Sequence, residues 1–323
     1  DYVLMGAGIP MKIPGVLDRF ANHESATYPL AVSGADEPVQ LSFTPREFVG
    51  TTLPPLKRPK FLAIIASDVL ALSLTKRANG KVDGFVVEGP TAGGHNAPPR
   101  GARHLNERGE PVYGARDVVN LEKLKALGLP FWLAGGSGTA QRVREALAAG
   151  AEGVQVGTAF AMCSESGLPD DLRRTMLAQV HEGRADVVTN PVASPTGFPF
   201  KVASIADTLS DAAVVAARPR ICDLGYLREA YRADDGTIGF RCPSEPVNVF
   251  VSKGGQRTET TGRACICNAL LATAGLPQVR AGKYEEPPIV TMGDDLPGVG
   301  RFLRPCATEY SAADVIATLT AGL

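Results

Sequence analysis

The stretch Glu88 to Asn96 reads EGPTAGGHN, and it sets a carboxylate, two adjacent glycines and one of the chain's 4 histidines in a single short loop. An imidazole titrates near neutral pH, so a histidine held in such a loop is well suited to exchange a proton with a ligand. Gly93 and Gly94 would let a flat ring approach, since neither carries a Cβ. A lone histidine after two glycines can also be a loop residue bonded to its own backbone; what favours chemistry at His95 is its company. Pro130 to Ala161, PFWLAGGSGTAQRVREALAAGAEGVQVGTAFA, contains two further glycine turns, one at Gly135, Gly136 and Gly138 and one at Gly157-Thr158. Bare backbone N–H groups at such turns can cradle a phosphate.

Two other groups could do chemistry. Cys222, Cys242, Cys265 and Cys267 are four of the 6 cysteines, and four thiolates suit tetrahedral zinc or an iron–sulfur cluster. Cys-Ile-Cys is a weaker signal than paired Cys-x-x-Cys, so ordinary part-buried thiols are the alternative. The segment 97–114, APPRGARHLNERGEPVYG, carries Arg100, Arg103, His104 and Arg108. It reads either as a lid whose arginines meet an anionic substrate or as a solvated loop.

For the glycine turns to meet, the strands before them must lie side by side. Phe131 to Ala134 and Val154 to Val156 are apolar runs too short for helices, and Gln141 to Ala149 between them has helical spacing that stops at Gly150. Phe61 to Ala66 is a continuous apolar run of the kind buried on both faces of a parallel sheet, and Ser67-Asp68 can cap a helix over Val69 to Arg77. Phe85 to Glu88 is the next strand, and Tyr2 to Met5 runs into Gly6-Ala7-Gly8. Strands alternating with helices predict right-handed parallel crossovers, which fit either an open doubly wound sheet or part of a barrel. Residues 22–60 read as an elaborated connection with an edge strand at Val39 to Phe43. Beyond the last strand, a helix is predicted over Pro169 to Glu182. Residues 187–202 cannot be regular helix, because Pro191, Pro195 and Pro199 each remove a donor. Helices are predicted at Ile205 to Ala217, Leu224 to Tyr231, Ala264 to Ala274 and Ala312 to Ala321.

Composition narrows the function classes. With 44% apolar and 21% charged residues the chain can bury a full core, and a formal charge of −1 leaves no electrostatic footprint for nucleic acid or an anionic membrane. No apolar run reaches the roughly 20 residues of a membrane span and no secretory signal opens the chain, so the sequence reads as cytoplasmic. Tyr2 to Met5 reads as a strand in mid-stride, from which something is expected to precede Asp1.

AGGSG followed by VQVGTAF resembles the final two strands of the flavin mononucleotide (FMN) barrels of the nitronate monooxygenase family, formerly 2-nitropropane dioxygenases. AGGH resembles the motif that carries that family's catalytic histidine on the sixth strand. The resemblance implies an α/β fold, a (β/α)8 TIM-type barrel of which the five strands here are the fourth to eighth, so that the barrel is incomplete. The expected division is an FMN-binding barrel segment over 1–202 and a mainly helical C-terminal extension with the cysteine cluster over 203–323. Carried over position by position, His95 is catalytic, and Glu88, Gly93, Gly135, Gly136, Gln155, Val156, Gly157 and Thr158 contact FMN. The family usually has glutamine where this chain has Glu88, and a carboxylate there would disfavour an anionic reduced flavin unless protonated or paired. The implied activity is an FMN-dependent oxidation of small alkyl nitronates with O2 to a carbonyl compound and nitrite. The alternatives are an NAD(P)H-dependent flavin enoyl reductase acting on acyl thioesters, as in polyketide and polyunsaturated fatty acid synthases, and a non-catalytic flavin-binding scaffold.

Overall fold

The computed structural model describes residues 1–6, 8–51 and 53–323; of the Gly6-Ala7-Gly8 turn, Ala7 lies outside the described residues. Lys60–Ile65 forms a strand because its apolar side chains find cover on both sides. Phe61, Ala63 and Ile65 pack with Phe85, Val87 and Phe131 against Ala71, Leu74, Leu124 and Ala146 of the helical layer. The intervening residues turn the other way, where Leu62, Val86 and Ala134 cluster with Ile64 and Trp132. This is the two-faced burial of a parallel strand.

The main sheet has five parallel strands in sequence order: Tyr2–Met5, Lys60–Ile65, Gly84–Glu88, Phe131–Ala134 and Gly153–Gln155. Register is continuous, with Val3 opposite Phe61, Ala63 opposite Phe85, Val87 opposite Leu133 and Ala134 opposite Gln155. An order without reversal excludes the doubly wound arrangement, in which the strands run outward from a central switch point. With right-handed crossovers it puts the connecting helices on one face and all strand C-termini at one edge. Helices Asp68–Arg77 and Ala140–Ala148 begin at side-chain caps, where Ser67 accepts from the Leu70 amide and Thr139 from the Arg142 amide.

The connection after the first strand contains helix Ile13–Ala21 and an antiparallel hairpin of Ala26–Leu30 with Val39–Phe43. Residues 187–203 form a second hairpin, Val187–Asn190 with Phe200–Ala203. The region beyond 203 is less helical than the sequence predicts. Ile266–Thr273 and Ala312–Leu319 are helices, as is Asp170–His181 before it, but the helix expected at Ile205 to Ala217 is confined to Ala212–Ala217. The one expected at Leu224 to Tyr231 is absent: Glu229–Arg232 is a strand, antiparallel to Ile238–Arg241 and parallel to Val32–Ser33. Its alternating burial, Ala230 inward and Glu229 outward, suits a sheet that the elaborated connection completes. One hydrophobic core also runs across residue 202, joining Ala159, Met162 and Met176 to Val290, Met292, Val299 and Val315. Among the described residues no helix is long and apolar enough to cross a membrane.

Candidate active site

A cavity of about 1010 Å³ opens at the C-terminal edge of the parallel sheet. Every residue singled out for the flavin lines it: Glu88, Gly93, Gly135, Gly136, Gln155, Val156, Gly157 and Thr158, with His95 beside them. Gly135 and Gly136 have φ of 87° and 64°, the left-handed region that disfavours any side chain. A Cβ on Gly135 would also stand 2.9 Å from the Ala92 amide nitrogen, so this turn and the histidine loop touch backbone to backbone. Among the described residues, the amides of Gly136, Gly138 and Gly157 donate to no acceptor in the protein. Three unpaired amides at the rim of one cavity match the needs of a phosphate. The helix after the fifth sheet strand, Thr158–Ala161, is a single turn, so its dipole can help little.

Gly93 serves a purpose the sequence did not disclose. Its missing Cβ faces the backbone of Met292 and Gly293 at 2.9 Å rather than open cavity. A segment from the distant end of the chain, Thr291 to Asp295, crosses the glycine turns here. Gly94 N donates to Thr291 Oγ1 (2.7 Å), Gly293 N to Thr158 Oγ1 (2.9 Å) and Asp294 N to Thr91 O (3.0 Å). Asp295 lies against Gly138, where a bare carboxylate would repel an anion; Arg301 pairs with it at 2.9 and 3.0 Å and also donates to Gly138 O. Asp294 is held by the buried Lys201 ammonium at 2.5 Å. Crossing segment, hairpin and glycine loop are thereby locked together, since Lys201 N also bonds Gly94 O and Asn96 N bonds Pro199 O, both at 2.9 Å.

His95 is half-buried, and burial holds its imidazole below the ordinary histidine value. Its Nε2 lies 2.6 Å from the hydroxyl of Ser194, a fully buried residue on the proline-rich connection of the hairpin, and its ring meets Phe200 edge-on at 4.8 Å. Glu88 ends its strand in the cavity wall, and burial alone pushes its carboxyl up to about 7. The departure from glutamine is thus softened: near neutral pH a large share of Glu88 is uncharged, and a protonated carboxyl can donate much as an amide does. Asn96 is buried, with Nδ2 fixed to Ala92 O at 3.0 Å, while its Oδ1 has no partner among the described residues. Ser194, Asn96 and the 291–295 segment escaped the sequence reading; only Gly293 in TMGDD hinted at a backbone approach.

The arginines of the 97–114 loop are largely engaged. Arg100 reaches Ala66 O (2.6 Å) from the cavity rim, Arg103 reaches Pro191 O (3.4 Å), and Arg108 pairs with Asp186 (2.7 Å). The four tail cysteines do not form the metal centre considered from sequence. All four are free thiols, and among the described residues no group of three His, Cys, Asp or Glu side chains is arranged to hold a metal ion. Cys265 stands at the N-cap of helix Ile266–Thr273 and Cys267 is the second residue of that helix. The Cys265 thiol is instead hydrogen-bonded with Cys222, which the Arg228 guanidinium also approaches.

A parallel α/β sheet with amides, a histidine and a carboxyl of raised pKa around a cavity at its C-terminal edge is an arrangement able to hold an anionic ligand beside a proton-transfer group. Residues 57–194 match the family model described as nitronate monooxygenase, in agreement with the resemblance over that segment. A nitronate monooxygenase of Pseudomonas aeruginosa is 34% identical over 155 residues, 46% of this chain and 42% of the relative. A probable nitronate monooxygenase of Bacillus subtilis is 40% identical over 85 residues, 26% of this chain and 23% of the relative. The chain thus spans less than half the length of either curated relative. Among solved structures, FabK from Thermotoga maritima aligns with a TM-score of 0.47 at 16% identity, covering 99% of this chain and 67% of that one. The enoyl reductase domain of MlnA, from the macrolactin biosynthesis cluster of Bacillus amyloliquefaciens, aligns with a TM-score of 0.49 at 10% identity, covering 99% and 76%.

Proposed function

We propose that this chain carries the cofactor-binding part of an FMN-dependent oxidoreductase of the nitronate monooxygenase type, its five strands being the fourth to eighth of a (β/α)8 barrel. The observation that carries the reading is that His95 shares one cavity with three unpaired glycine-turn amides. The cavity volume lies at the upper end of the roughly 300–1,000 Å³ usual for ligand pockets, enough for a cofactor and a small substrate together. The amides of Gly136, Gly138 and Gly157 hold the phosphate. Glu88 and Gln155 present polar groups along the ring system, and Gly135 lets the histidine loop close against its own turn. Bound FMN supplies a two-electron acceptor that O2 can re-oxidise, so that an alkyl nitronate yields a carbonyl compound and nitrite. For a neutral nitroalkane His95 removes the proton; for a nitronate, already an anion, it donates a hydrogen bond.

A second reading, an NAD(P)H-dependent enoyl reductase acting on acyl thioesters, is favoured by one observation. The cavity continues from the glycines along Ile9, Leu70, Phe198 and Leu227, an apolar wall longer than a small nitronate needs. Anaerobic mixing of the FMN-loaded protein with a nitronate, NADH and NADPH in turn separates the readings. Bleaching of the flavin by the nitronate alone supports the monooxygenase, and bleaching by a pyridine nucleotide supports the reductase. No bleaching by any of the three supports a non-catalytic flavin-binding scaffold and removes both.

A further inference from the structure

Ser194 is 0% exposed and lies in a row of hydroxyls that starts at His95 and ends in the cavity. Its Oγ is 2.6 Å from His95 Nε2 and 2.7 Å from Thr196 Oγ1, and it accepts from the Thr196 amide at 3.2 Å. Thr196 lines the cavity and accepts from the Phe198 amide at 3.4 Å. A hydroxyl has one proton and two lone pairs. The Thr196 amide occupies one lone pair of Ser194, so its remaining lone pair and its single proton are divided between His95 and Thr196.

Only two arrangements satisfy that count for a neutral ring. In the first, Ser194 donates to Nε2, Nδ1 carries the ring proton, and Thr196 donates to Ser194. In the second, Nε2–H donates to Ser194, Ser194 donates to Thr196, and Nδ1 is bare. Both lone pairs of Thr196 are then filled, by Ser194 and by Phe198, so its own proton is free for the cavity. Only the second arrangement offers a base, and it is also the one in which Thr196 is a donor.

We propose that Ser194 is a positioning residue whose one proton couples the base form of His95 to a hydroxyl donor at Thr196, so that base and oxyanion partner arise together. The inference rests on the reading in which His95 deprotonates a neutral nitroalkane. In that step the substrate C–H proton passes to Nδ1, the electron pair remains on the nitronate, and Thr196 donates to a nitronate oxygen. The lowered imidazole value keeps the ring neutral beforehand, so that its tautomer is what decides reactivity.

Nitrogen NMR of the protein labelled with 15N-histidine reads the tautomer without turnover. Thr196→Val keeps the shape of Thr196 but removes the acceptor, so the Ser194 proton must go to Nε2; His95 is expected to move to the Nδ1–H form. Ser194→Ala cuts the row, and in that background Thr196→Val should leave the tautomer unchanged. Thr196→Val should lower the rate with a neutral nitroalkane by between about 10- and 10⁴-fold, the range from losing an outer partner to holding the wrong tautomer. The rate with a preformed nitronate should fall less, by the loss of the Thr196 donor alone. A His95 tautomer that is the same in wild type and both variants overturns the coupling even if nitroalkanes are turned over. A tautomer shift in a protein that oxidises neither substrate leaves the coupling standing and removes the activity it was tied to.

Discussion

Replacing Glu88 with glutamine tests the electrostatics of the cavity directly. The carboxyl ends the strand Gly84–Glu88 inside the cavity wall, and burial is the whole cause of its rise from 4.5 to about 7. No cation offsets it, so the folded protein holds this proton more tightly than the unfolded chain does. A group with a raised folded-state pKa favours folding below its unfolded value, and the advantage is lost as pH rises toward the folded value. Integrating that linkage, the ionisation cost borne by the wild type is about 1 kcal/mol at pH 5 and about 3 kcal/mol at pH 8, where it levels off. Glutamine keeps the shape and removes the titration. Glu88→Gln should therefore gain stability over the wild type by about 2 kcal/mol between pH 5 and pH 8, on top of any constant difference. Urea denaturation of both proteins at half-unit intervals across that range measures the difference curve. A flat curve, or one that falls with pH, would refute the claim that Glu88 is buried without a partner. FMN retention should follow the same titration, weakening above about pH 7 in the wild type and staying level in the variant.

Three further outcomes are expected. His95→Ala should keep its flavin yet lose roughly 10²–10⁴-fold in rate with a neutral nitroalkane, as for removal of a general base; unchanged kinetics would remove that role. Gly93→Ala drives a Cβ into the Met292–Gly293 backbone, so it should lower stability by about 1–3 kcal/mol and impair FMN retention, and an unshifted melting temperature would contradict the packing described. The Cys222 thiol is lowered to about 6 by its hydrogen bond with Cys265 and by Arg228, whereas Cys265 is raised. Brief iodoacetamide treatment at pH 7 followed by peptide mapping should find Cys222 modified well before Cys265, and the reverse order would be evidence against that bond.

The parallel sheet was legible because its signals are local. A run such as Phe61 to Ile65 has no polar residue to turn toward water, and a glycine turn or a capped helix after each strand leaves few alternatives to a βα unit. Local signals also explain why His95 and the glycines fell together: each follows a strand, and parallel strands in sequence order bring their ends to one edge. The errors lie where the deciding partner is distant. Leu224 to Tyr231 has passable helical spacing, yet Ala230 and Tyr231 pair with Val32 and Ser33, some two hundred positions away, and the sheet overrides the propensity. The tail cysteines suggested a metal by their number, but number does not fix geometry, and among the described residues no three such side chains are placed to hold an ion. Ser194 sits among prolines that marked its segment only as irregular, and its contact with His95 depends on how the hairpin folds back over the glycine loop.

The crossing of Thr291 to Asp295 over the glycine turns bears on the order in which the molecule is made. Its bonds to Thr91, Gly94 and Thr158 close loops of well over a hundred residues, and such closures come late because their entropy is lost before any contact rewards it. The sheet and the glycine turns can form while those residues are still being synthesised, but the cavity wall is unfinished until they arrive. Ligand capture in the cavity would then report that Thr291 to Asp295 has docked, and a chain with a well-formed sheet would lack that wall until this segment is free to cross the glycine turns.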